Sequence, residues 1–263
     1  MSANDFGNVN EMYVKRDTLS TRVDLHDKYS VNKYGWFNWV FDQYQFTENM
    51  NILELGCGTG NIWQKIEAPE KSIPKNAKII LTDISPLMIE KVKEKFIKNA
   101  CFSFRVVDIQ KTPFEAGEFD MVAANHMLYH VPDMGKALSE IKRVLKDDGY
   151  FYATTLGENS LKELQDIYRK YEGRIHFSYS KDCTFTLENG EEILRKFFGK
   201  VERRFYLDAL EVTSADDLMN YIVSYNKITQ DVYNEMYETI KNVINKEDVF
   251  KIRKDQGMFI CTK

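Results

Sequence analysis

Glu54, Gly56, Gly58 and Gly60 stand at alternate positions in Asn51-Ile-Leu-Glu-Leu-Gly-Cys-Gly-Thr-Gly60. An apolar run ends in an acid, a glycine-rich turn follows, and a helical pattern opens at Asn61. This order describes a buried parallel strand, a turn that a ligand can approach closely, and a helix N-terminus facing that ligand. Dinucleotide-binding loops place glycine at relative positions one, three and six, so that a pyrophosphate rests on exposed amides. Here the third glycine comes at position five, and position six is Asn61. A carboxylate at Glu54 repels a pyrophosphate and can help hold a cation. The turn therefore suits an amino-acid-like, positively charged nucleoside without phosphate.

The elements that carry these residues alternate. Strands are expected at 51–55, 78–82, 102–107, 119–124 and 150–155, and helices at 61–67, from Pro86 to about Asn99, and at 134–146. Ser85 is a natural N-cap with Pro86 at the first helical position. Asp83, Asp108 and Asn125 each close a strand, as Glu54 does. Alternation of this length predicts an α/β fold, a doubly wound, mostly parallel sheet covered on both faces. In such sheets ligands bind beyond the carboxyl ends of the strands, so the four strand-end residues converge on one crevice. Two later strands, at 201–207 and 257–262, bring the sheet to seven. Helices are also expected at 160–171 and 187–198, with two more between 213 and 248.

This pattern divides the chain into an N-terminal helical lid over 1–46, a ligand-binding core over 47–157 and a cap insertion over 158–185. The sheet ends in 186–263, interrupted by a helical cap insertion at 213–248. The lid is rich in aromatics, among them Tyr29, Tyr34 and Trp36, and the first cap holds a loop with His176, Tyr179 and Cys183. The charges at Glu140, Lys142, Arg143 and Lys146 read as a solvated helix face.

At 263 residues with 43% hydrophobic and 29% charged content, the composition is that of a soluble globular chain. No apolar run approaches the length of a membrane span, and the polar first ten residues lack a signal-peptide core. The four cysteines are scattered, which argues against zinc and disulfide frameworks and for reduced thiols in cytoplasm. No metal is expected. A net charge of −4 leaves no electrostatic footprint for nucleic acid. The expected partner is a small-molecule substrate, with neither nucleic acid nor membrane; oligomeric state is not readable.

Glu54-x-Gly56-x-Gly58-x-Gly60 is similar to the first motif of the class I S-adenosylmethionine (SAM)-dependent methyltransferases. SAM has a cationic sulfonium and ammonium and carries no phosphate. From Asn51 to about Thr155 the chain resembles the small-molecule branch of that family, which includes ubiquinone/menaquinone methyltransferase-like proteins (methyltransferase type 11). The resemblance implies that Gly56, Gly58 and Gly60 line the methionine moiety of SAM. It also implies that Asp83 accepts both ribose hydroxyls, as a carboxylate can from a vicinal diol. Ile84 and Met88 would pack on the adenine faces, Asp108 and Ile109 would read its edge, and Asn125 would lie beneath the methionine part. In place of the Asn/Asp-Pro-Pro-Tyr of base N-methylating enzymes stands Asn125-His-Met-Leu, which speaks against a nucleobase substrate.

Asn125 to Asp133 resembles the His-x-Leu-x-His-Val segment of this branch, which puts His130 at the substrate as a proton acceptor. Tyr29, Tyr34 and Trp36 are candidates to face the sulfonium, since cation–π attraction there contributes roughly 1–2 kcal/mol when desolvated. The expected activity is methyl transfer from SAM to a small-molecule nucleophile by in-line displacement. Two alternatives are a nicotinamide-dependent oxidoreductase on a similar sheet and a SAM-binding protein without transfer activity. Glu54 and Asn61 count against the first. The second shares every strand-end residue and is separable only by assay.

Overall fold

The computed structural model of the chain describes residues 16–64, 73–172, 174, 184–225 and 228–263. The predicted loop residues His176, Tyr179 and Cys183 lie outside them. The chain divides into two compact units. One comprises Met1–Gly35, Glu158–Asp182 and Leu207–Asp255; the other comprises Trp36–Gly157, Cys183–Tyr206 and Gln256–Lys263. The N-terminal segment is thus shared, with residues from Trp36 onward belonging to the second unit.

The second unit is built on β1 (Asn51–Leu55), β2 (Lys78–Asp83), β3 (Phe102–Val106), β4 (Phe119–Asn125) and β5 (Leu145–Leu156). It also holds parts of β6 (Lys200–Val212) and β7 (Phe250–Thr262). The seven strands lie in the order β3-β2-β1-β4-β5-β7-β6. β1 pairs in parallel with both β2 and β4, as do β2 with β3 and β4 with β5, whereas β7 is antiparallel to β5. Because β1 neighbours β2 on one side and β4 on the other, strand order reverses there, and the carboxyl ends of β1 and β4 flank the switch point.

Alternate residues of the central strands feed two apolar cores. Leu53, Leu55, Val122, Ala124, Phe151 and Ala153 join Leu138 and Ile141 on α5 (Met134–Val144) and Leu194 on α7 (Gly190–Arg195). The intervening Ile52, Met121, Ala123 and Tyr152 join residues of three other helices: Val40 and Phe41 of α2 (Trp36–Gln43), Trp63 of α3 (Asn61–Gln64), and Ile89 and Val92 of α4 (Pro86–Phe96). Strands buried on both faces are the reason β1 and β4 read as continuous apolar runs.

Several local expectations change: the strands expected at 201–207 and 257–262 extend over Lys200–Val212 and Phe250–Thr262, up to the borders of the helical insertion expected at 213–248. The helix expected over 134–146 ends at Val144, and β5 begins at once: Leu145 pairs with Phe119 before the register shifts, and Tyr150 then pairs with Met121. The intervening Asp147-Asp148-Gly149 forms an irregularity within the strand, with Lys146 tied to Asp120 at 2.7 Å. Nor is the charged face of α5 simply solvated. Arg143 donates to the carbonyl of Phe114 and pairs with Glu140, which accepts from the amide and hydroxyl of Thr112. That Arg143 bond leads in holding the Glu140 carboxyl down at about 2, and the pair clamps the loop that enters β4.

The first unit contains α1 (Arg16–Tyr29), α6 (Lys162–Lys170), α8 (Ala215–Tyr225) and α9 (Gln230–Glu247). Its core gathers Leu25, Tyr29, Leu164, Ile167, Leu218, Ile222, Met236 and Ile240.

Candidate active site

The glycine turn takes its shape from left-handed backbone at Gly56, Gly58 and Gly60. A Cβ on Gly56 would lie 2.9 Å from Met127, and one on Gly60 would lie 2.7 Å from Val92 and 2.8 Å from Phe96. Those two glycines are therefore required by packing. A Cβ on Gly58 would meet nothing within 4 Å, so the space above it is open. A cradle of this kind is left where a ligand approaches backbone.

β1 brings Glu54 to the base of the turn, 2% exposed. Its Oε2 accepts from the indole Nε1 of Trp63 at 2.5 Å, and its Oε1 accepts from Asn125 Nδ2 at 3.1 Å. The same Nδ2 donates to Tyr44 Oη at 2.8 Å. Asn125 Oδ1 is buried and has no hydrogen-bond partner. Asp83, closing β2, accepts from the Gly58 amide at 3.0 Å on Oδ2 and from the Ser85 amide at 2.9 Å on Oδ1. Ser85 occupies the N-cap position of α4 with Pro86 next, as expected, but its hydroxyl makes no capping bond.

The electrostatics are set by burial and by these two acids. Burial pushes the Glu54 carboxyl up to about 7, with the Asn125 and Trp63 bonds opposing and Asp83 adding to the rise. Burial also raises Asp83, against the amides of Ser85, Gly58 and Ile84. The Tyr44 phenol and the Cys57 thiol are pushed well above their ordinary values, first by burial and next by Glu54. The site thus favours positive charge. An orphaned amide oxygen, a buried carboxylate and a bare glycine face fit a cationic, phosphate-free nucleoside.

Other predicted residues fall around this cluster. Asp108 lies two residues beyond the end of β3, its carboxylate accepting from the Gln110 amide at 2.9 Å and from Gln110 Nε2. Gln110 Oε1 in turn accepts from the Asp133 amide at the start of α5. The Ile109 side chain sits in the core beside Val107, while Ile84 is half-buried and Met88 is buried on α4. His130 ends a 3-10 turn, Leu128–His130, and burial lowers its imidazole below the usual histidine value. The Trp36 ring stacks on Trp39 at 5.3 Å and tilts against His126 at 5.1 Å. Tyr29 belongs to the core of the first unit, its hydroxyl donating to Asp217 at 2.6 Å, and Tyr34 is half exposed there.

Trp63, Tyr44 and Gln110 were not among the residues expected from sequence. Nothing local marks them, because each acts through a partner brought close only by the fold. His126 carries one visible sign: at φ 50° it is a non-glycine residue in left-handed backbone, its amide held by Thr154.

A family model described as "Methyltransferase domain" matches residues 46–197. The ubiquinone/menaquinone biosynthesis C-methyltransferase UbiE of Rickettsia bellii (strain OSU 85-389) is 33% identical over 126 residues, 47% of this chain and 51% of that protein. The malonyl-[acyl-carrier protein] O-methyltransferase of Legionella pneumophila is 34% identical over 128 residues, 48% of this chain and 44% of that protein. The chain spans about half the length of the curated relatives it matches. Among solved structures, phosphoethanolamine N-methyltransferase 2 of Haemonchus contortus, in complex with phosphomonomethylethanolamine and S-adenosylhomocysteine, superposes with a TM-score of 0.58 at 18% identity. That match covers 100% of this chain and 60% of the other, and at such identity it shows a common fold. With the glycine turn, the strand-end acids and more than half of its length inside the match, the chain belongs to the methyltransferase domain family.

Proposed function

We propose that the protein transfers a methyl group from SAM to a small-molecule nucleophile. The observation that carries this is the negatively biased glycine turn, where Glu54 lies buried beneath an unpartnered Asn125 oxygen and an open Gly58. When bound, SAM supplies a methyl group on a sulfonium already activated for in-line displacement. Gly56, Gly58, Gly60 and Asn125 would hold its methionine part, with Glu54 acting through its field. Asp83 would accept the ribose diol on lone pairs left beside its two amide bonds. Ile84 and Met88 would cover the adenine faces, and Asp108 with the Ile109 amide would read the edge. Trp36 is the aromatic assigned to the sulfonium. The contribution of these residues is alignment and exclusion of water.

His130 is assigned as the group that takes a proton from the acceptor at an imidazole nitrogen. Its lowered pKa keeps it neutral, and so able to accept, at pH 7. The relatives are named for transfer to carbon, oxygen and nitrogen, so what they share serves the methyl donor and not one acceptor atom. A net charge of −4 supports a small-molecule acceptor over nucleic acid. Among the described residues no helix is long and apolar enough to cross a membrane. A nicotinamide dinucleotide would set its pyrophosphate against Glu54, which disfavours that alternative.

Calorimetric titration with SAM tests the reading. Asp83→Ala, which removes two hydrogen bonds to a charged acceptor, should weaken binding by about 100-fold or more. His130→Ala should leave affinity near wild type and lower turnover by on the order of 100-fold. Wild-type affinity in the Asp83 variant would refute the site. Binding with no methyl transfer across a metabolite extract would leave the non-catalytic alternative.

A further inference from the structure

Resting on the SAM reading, we propose that Trp63 is a positioning residue that, through Glu54, decides which end of the Asn125 amide is offered to the cofactor. Cofactor capture then follows the charge on Glu54. Asn125 Nδ2 has two hydrogens to donate. One goes to Tyr44 Oη at 2.8 Å and the other to Glu54 Oε1 at 3.1 Å. An ionised carboxylate only accepts, so it demands the amino end of the amide. The amide oxygen is thereby turned away from both partners, buried and unpaired. It is an acceptor held ready for a cationic N–H group. Trp63 Nε1 can only donate, and its bond to Glu54 Oε2 at 2.5 Å favours the charged carboxylate.

A proton on Glu54 Oε1 reverses this logic. The carboxyl becomes a donor, the Asn125 amide can rotate to accept with its oxygen, and its amino end then faces the cofactor's ammonium. Burial places this carboxyl at about 7, so the exchange falls near neutrality. The titratable groups that bear on Glu54 are Asp83, Tyr44 and Cys57. Tyr44 and Cys57 are both pushed upward and stay neutral there, while Asp83 is an acid that adds to the rise. Trp63 and Asn125 are the two that favour ionisation.

The test is calorimetric affinity for S-adenosylhomocysteine, which keeps the ammonium, between about pH 6 and about pH 9. Wild-type affinity should rise through about pH 7 and then level off. Trp63→Phe removes only the indole donor. Its midpoint should move up by about one unit, making it roughly fivefold weaker at pH 7 and equal to wild type near pH 9. Glu54→Gln, which cannot titrate, should stay weak, and its ratio to wild type should grow as pH rises. An equal loss for Trp63→Phe at every pH would mark a purely structural role and overturn the inference, as would an unshifted profile. Should circular dichroism show Trp63→Phe unfolded, Glu54→Gln decides alone, and a profile parallel to wild type overturns the inference. Either failure leaves the SAM reading standing. Absence of binding by the wild-type protein at any pH defeats the SAM reading itself, and this inference with it.

Discussion

Three glycines at alternate positions look equivalent in the sequence and do different work in the fold. Gly60 accommodates Val92 and Phe96 of α4, whereas Gly58 has nothing above it. Gly60→Ala should destabilise the protein by about 2–4 kcal/mol, because strained backbone and an overpacked contact add. Gly58→Ala adds only the backbone strain, about 1 kcal/mol, yet should lose most of its affinity for SAM. Urea denaturation and calorimetry on the two variants separate the roles; equal stability losses would contradict the geometry. Glu54 belongs with Gly58 as a residue kept at some cost to stability. Its carboxyl is harder to ionise folded than unfolded. The stability it contributes is therefore fully present below the ordinary carboxylate pKa and is lost as pH rises through about 7.

Periodicity marks the strands and helices where both faces are buried, and misses the boundaries that tertiary contacts set. β5 shows this. The helix and turn expected there take in its first five residues, because Leu145 pairs with Phe119 before the Asp147-Asp148-Gly149 irregularity. At its other end β5 anchors the returning chain: Thr155 Oγ1 donates to the Phe185 carbonyl at 2.6 Å, and the Leu187 amide donates to Leu156. Thr155 is fully buried. Thr155→Val keeps the shape and removes the hydroxyl that bonds this carbonyl, and should cost about 1–3 kcal/mol by urea denaturation. An unchanged midpoint would mean the segment is held by other contacts.

Each of the two units has its own core, and the first holds a buried ion pair that no motif announces. Asp208 on β6 accepts from Lys254 on β7, from the Ser30 hydroxyl, and from the amides of Asn32 and Ala209. Both charged side chains are nearly inaccessible, at 7% for Lys254 and 0% for Asp208. Lys254→Met leaves a buried carboxylate without its cation and should cost about 3–5 kcal/mol. Adding Asp208→Asn, which keeps an acceptor for Ser30 and the two amides, should recover more than half of that loss. Hydrogen exchange of β6 amides reads the effect, and a double variant as labile as the single one would show that the pair is not the cause.

Read from the chain alone, the glycine spacing, the acids closing successive strands and the alternation of apolar runs were enough to define the α/β fold and the cradle's charge preference. All three are local properties: backbone freedom, a strand end, a buried face. What only folding settled is the support beneath the cradle. Trp63 reaches Glu54 across nine residues, Asn125 across 71, and Tyr44 reaches Asn125 across 81. Hydrogen bonds between residues so far apart leave no period in the sequence, and their effect on Glu54 arises from burial that exists only once both sheet faces are covered.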